Sequence, residues 1–137
     1  MKHLAIALAV AMIAGCAATA ERKPSEEDQA IIDYITMHEL EELNSLRSGR
    51  TDDWSVITPK YIVYEGRNQS FYLVKFKRNC HELLDDTNVV ADVRWDSNTL
   101  RARFDTIRGC HVDSIYALTE AEADELTGVG TSFNRRN

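Results

Sequence analysis

Ten consecutive residues near the start of the chain, Leu4 to Ile13, carry neither a charge nor a polar side chain, and they follow a short basic start, Lys2-His3. Spanning a bilayer takes about 20 apolar residues, so this run is too short for a membrane helix. With the small residues Ala14 and Gly15 at its end it has the layout of an export signal. That feature decides which part of the chain can fold at all. Residues 1–15 are expected to be removed as a signal peptide, and the remainder to fold outside the reducing cytosol.

The stretch Ile13-Ala14-Gly15-Cys16 resembles the lipobox of bacterial lipoproteins. The resemblance implies cleavage just before Cys16, acylation of its thiol and, with the non-acidic Ala17 following, retention in the outer membrane facing the periplasm. Residues 16–24 then form a lipidated cysteine and tether; eight residues reach at most about 28 Å, which keeps the domain near the membrane surface. A rival lies within the same stretch. Ala18-Thr19-Ala20 is an ordinary A-x-A site, and cleavage after it leaves a soluble periplasmic chain without Cys16. In either case Cys80 and Cys110 remain as an even pair in a compartment where disulfides persist. A bridge closing about 30 residues contributes roughly 3 to 4 kcal/mol by the chain-entropy relation.

Residues 25–127 suffice for one domain and not two, and 128–137, with few apolar residues and a terminal Arg135-Arg136, read as a loose tail. The chain has 16 Lys+Arg, one of them Lys2 in the signal, against 22 Asp+Glu. Such a balance argues against nucleic acid or an anionic membrane face as the main partner, because both would be repelled overall.

Local patterns predict an α+β domain: an N-terminal helix, an antiparallel sheet of about five strands and a short C-terminal helix. Ser25-Glu26-Glu27-Asp28 after Pro24 is a helix start, followed by Ile31, Ile32 and Ile35 on one side. Leu40, Leu43 and Leu46 continue at three-residue spacing, which predicts a curved helix or two helical pieces meeting near His38 and ending before Ser48. Trp54–Ile57, Lys60–Tyr64 and Phe71–Phe76 read as a meander of strands. Val89–Trp95 and Leu100–Asp105 predict a hairpin around Asp96-Ser97-Asn98-Thr99, with Ala91 facing Phe104 on an apolar face and Arg101 and Arg103 on a charged one, and this sheet covered on one side only. Cys110–Leu118 predicts a last strand bulged near Asp113-Ser114. Thr119-Glu120-Ala121-Glu122 is a capping box opening a helix that ends by Gly128.

Candidate chemistry is sparse. Cys80-His81 and Cys110-His111 contain zinc-ligand types, but adjacent strand residues point to opposite faces and zinc modules space their ligands two to four residues apart; a disulfide is the expected state, with no metal and no cofactor. With both thiols paired and no C-x-x-C, neither a nucleophile nor a redox motif is left, and no catalytic residue is assigned. Lys75, Lys77 and Arg78, with Arg94, Arg101 and Arg103, make a candidate anion-binding patch, set against the alternative that Asp92 and other acids neutralise it. Asp105 is expected to anchor the Arg108–Cys110 loop, and a pocket around Asp105 and His111 is what an enzyme reading would need. Trp54, Tyr61, Tyr64, Phe71, Tyr72 and Trp95 are expected in the core rather than in a ligand groove.

A lipobox, then Trp54-x-Val56-Ile57, Phe71-Tyr72-Leu73-Val74 leading to Cys80-x-x-Leu83, Phe104-Asp105-x-Ile107 and Cys110-x-Val112-x-x-Ile115, resembles a family of small bacterial lipoproteins known only as a domain of unknown function. The likeness runs from about Trp54 to Leu118. It implies an envelope location and a paired Cys80 and Cys110, and carries no activity with it. The expected role is a non-enzymatic structural or interaction module tethered to the membrane, with another envelope protein or a glycan as partner; the alternative is a periplasmic module that binds a small anionic ligand on the Lys75/Arg101/Arg103 face.

Overall fold

The computed structural model describes residues 22–48, 53–84 and 98–134, with side chains through 129. Ser25 caps α1 (Glu26–Met37), its Oγ accepting a hydrogen bond from the Asp28 N–H at 3.1 Å. Three acids in the first turn meet the positive end of the helix dipole.

The longer or two-piece helix expected through Leu46 does not form. Glu39 enters the left-handed region at φ +49, and the Leu40 N–H closes the end of α1 on the Ile35 carbonyl at 3.1 Å. The chain then becomes extended as β1 (Glu42–Leu43) and β2 (Ser45–Arg47). Leu43 lies opposite Ile115 and Leu46 opposite Leu100, so the leucines pack on strands from much later in the chain rather than on a helix face.

The meander is as expected: β3 (Asp53–Thr58), β4 (Tyr61–Glu65) and β5 (Phe71–Phe76) pair in sequence, antiparallel. The β4–β5 connection needs Gly66, where an added Cβ would lie 2.8 Å from the Tyr72 ring. After the segment 85–97, which contains the predicted Val89–Trp95 strand and lies outside the described residues, come β6 (Thr99–Arg101), β7 (Thr106–Ile107) and β8 (Cys110–Leu118). The strand expected over Leu100–Asp105 stops at Arg101. Arg103 takes φ +69, the backbone folds back so that the Asp105 N–H bonds the Arg101 carbonyl at 3.1 Å, and Phe104 faces solvent instead of an apolar sheet face.

Arg108 and Gly109, both at positive φ, form a two-residue turn that sets Ile107 opposite Cys110. One bulge falls where the sequence places it: Lys75 pairs with Ser114 and Phe76 with Val112, so Asp113 is the extra residue. The strands form an antiparallel sheet in the order β1-β8-β5-β4-β3, with β7 beside the start of β8, and β2 pairs separately with β6. Thr119 opens α2 (Glu120–Asn134) as a reciprocal capping box: its N–H donates to Glu122 Oε2 at 2.8 Å, and the Glu122 N–H donates to its Oγ1 at 3.3 Å. The helix continues past Gly128, where the sequence pattern places its end.

The main sheet is covered on both faces, not one. Alternate residues of β4 and β5 feed two cores. Ile62, Tyr64, Val74 and Phe76 meet the disulfide and the β2–β6 ribbon, whereas Tyr61, Val63 and Leu73 meet Ile31 of α1 and Leu126 of α2. The apolar run Tyr61-Ile62-Val63-Tyr64, buried at all four positions, is the sequence signature of such two-sided burial.

Candidate functional site

The disulfide expected between Cys80 and Cys110 is present, with Cα atoms 5.9 Å apart and both residues fully buried. Cys80 lies in the loop after β5 and Cys110 begins β8, so the bridge fastens this loop to the central pair of the sheet. Glu82 Oε2 lies 3.3 Å from Cys110 Sγ. Arg78, with Nη2 at 2.7 Å from Glu82 Oε1, holds that carboxyl below its ordinary range through a hydrogen bond. Cys80, Glu82 and Cys110 bring three potential metal-ligand atoms within 4.8 Å of one another. Both sulfurs are used in the bond between them, however, which leaves no thiolate for an ion in the oxidised protein.

The residues of the predicted anion patch lie on different elements. Lys75 is on β5, Arg101 ends β6 in the separate ribbon, and Arg103 sits in the turn that follows. Each meets a carboxylate: Lys75 Nζ lies 3.0 Å from Asp113, Arg101 Nε 3.2 Å from Asp105 and Arg103 Nη2 3.5 Å from Glu42. Asp92 and Arg94 lie outside the described residues. None of the acids found at these cations is the one the sequence nominates, because each pairing depends on a fold-back or a bulge.

Asp105 anchors a different loop from the one expected. Its Oδ2 accepts from the Arg101 backbone N–H at 2.7 Å and from Arg101 Nε at 3.2 Å, and its Oδ1 accepts from Nη2, closing the 101–105 turn rather than 108–110. Burial pushes the carboxyl up, but the Arg101 hydrogen bonds and charge outweigh it and hold it below the usual carboxylate range. A depressed folded value means that this contribution is complete above the unfolded carboxyl value near 3.9 and is lost as pH falls through the lower folded one. Asp105→Asn is therefore expected to cost about 1–3 kcal/mol at neutral pH. The gap from wild type should close below about pH 4, as followed by urea unfolding across pH. His111 is exposed on the β7–β8 hairpin, opposite Thr106.

The aromatic residues behave as core. Tyr61 and Tyr64 are buried, Trp54, Phe71 and Tyr72 pack against the two cores, and Arg108 lies over the Trp54 ring at 5.4 Å. Trp95 is outside the described residues.

A larger opening lies elsewhere. Four segments enclose a cleft of about 700 Å³: Arg22–Ser25 before α1, Glu27 and Asp28 in its first turn, Thr58–Lys60 between β3 and β4, and Arg78, Asn79 and His81 beside the disulfide. Asp28 is one wall of it, buried and accepting a 2.8 Å hydrogen bond from Thr58 Oγ1, which ties α1 to the β3–β4 turn. Sequence reading noted Arg78 alone among these cations, since no motif connects residues 22, 60 and 78.

No curated protein and no solved structure matches the chain. A match over residues 1–128 to the family described as a family of unknown function (DUF6491) covers most of the sequence, including the N-terminal segment and both bridged cysteines, and the chain belongs to that family.

Proposed function

We propose that the protein is a cell-envelope lipoprotein, anchored by an acylated Cys16 in the outer membrane and facing the periplasm, that serves as a non-enzymatic structural or interaction module. The observation that carries this reading is the buried Cys80–Cys110 bridge, a bond that forms and persists in oxidising compartments. The signal-like start of the chain supplies the route there. The non-enzymatic part is supported by what the polar side chains already do: Asp105 closes a turn, and Lys75, Arg101 and Arg103 are each matched by a carboxylate.

Intact mass of the protein isolated from its own cells, with and without reduction, tests the reading in one measurement. The expected result is a chain beginning at an acylated Cys16, found in the membrane fraction, that gains two hydrogens on reduction. A soluble chain beginning at Glu21 would overturn the anchor, and one that gains no mass on reduction would overturn the oxidising location.

A further inference from the structure

The cleft beside α1 is cationic in a chain of net charge −6. Arg22, Lys23, Lys60, Arg78 and His81 line it, against Glu27 and Asp28. Asp28 is turned to Thr58 and Arg78 is held by Glu82, whereas Arg22, Lys23 and Lys60 have no ion pair among the described residues. With Arg78 matched by Glu82, three cations face the two carboxylates Glu27 and Asp28 on one concave surface, which leaves an excess of positive charge that an anion can offset. Their types fit a phosphate: the arginine offers a forked pair of donors and the lysines add point charge.

We propose that this cleft binds a phosphate-bearing group, supplied by the headgroups of the membrane to which the chain is tethered. The choice of source rests on the anchor reading of Cys16. Arg22 is six residues on from Cys16, a reach of at most about 21 Å, so the tether keeps the rim formed by Arg22 and Lys23 close to the bilayer. An anionic lipid phosphate in the cleft would fix how the domain stands on the membrane, which an acyl chain on a tether leaves undetermined.

The test is an acetylation footprint of the full chain as isolated, read by mass spectrometry, with Lys77 as internal control. Its probes are dihexanoylphosphatidylglycerol, dihexanoylphosphatidylcholine and inorganic phosphate. The expected result is that the phosphatidylglycerol slows modification of Lys23 and Lys60 relative to Lys77 and that the phosphatidylcholine does not. Arg22→Glu, which lies before Pro24 and outside any helix or strand, together with Lys60→Glu should raise the concentration needed by at least about tenfold. Protection by inorganic phosphate at the same concentration would support the phosphate site and assign its source to free phosphate. The absence of protection by either, or equal protection of Lys77, overturns the site. The N-terminal peptide in the same spectra shows whether Cys16 is acylated, so a failed anchor and a failed cleft are read separately.

Discussion

Replacing Cys80 and Cys110 together by alanine is expected to lower the unfolding free energy by about 3 to 4 kcal/mol, from the entropy of an unfolded chain no longer closed over 30 residues. The size is large because the closed loop is long, and among its described residues the regular pairing is limited. Its described regular strands are β6 and β7, and each is short: β6 pairs over three residues with β2, and β7 over two with β8. Cys80 also holds its loop against the β3–β4 turn through a 2.6 Å hydrogen bond from its N–H to the Pro59 carbonyl, so the bridge positions the wall of the cationic cleft that carries Arg78 and His81. Urea unfolding of the oxidised wild type and the double variant checks the value. A loss below about 1 kcal/mol would mean that the loop is already constrained in the unfolded chain, and that the bond is not a main support of the fold.

What the sequence revealed divides by the range of the interaction. Both helix starts were legible, because the Ser25 and Thr119 caps act within three residues and the partner is written beside the cap. The meander was legible because β-branched and aromatic residues alternate between two buried faces over short runs. Even the Asp113 bulge showed, as Val112 and Ile115 fall out of step. The leucines at 40, 43 and 46 misled because three-residue spacing suits a helix as well as two short strands, and the choice was made by Ile115 and Leu100 far along the chain. The placement of Arg101 and Arg103 was missed for a related reason. Arg101 and Arg103 share a face only if the strand continues, and the left-handed Arg103 ends it. The cleft had no signature, being assembled from four segments that meet only when α1 docks through Asp28 on Thr58.

Phe76→Ala is expected to be the most damaging single truncation of the sheet, at about 3 to 5 kcal/mol, because the ring is fully buried and a cavity is left where the sheet cannot close. Phe76 ends β5 opposite Val112, just past the bulge, and belongs to the core that holds Ile107, Cys80 and Cys110. Its N–H also reaches the Lys60 carbonyl at 2.9 Å. Phe104 is the informative contrast. The sequence pattern puts it on an apolar strand face, but it is 75% exposed and touches the Arg101 guanidinium only as a cation–π contact at 5.8 Å, so Phe104→Ala should cost below about 1 kcal/mol. Phe76→Leu, which keeps most of the volume, should fall between the two. Equal losses for Phe76→Ala and Phe104→Ala would contradict the turn at 101–105, because only a Phe104 covered as the hairpin pattern predicts has that much burial to lose. The two alanine variants therefore test whether the strand ends at Arg101, as the left-handed Arg103 requires.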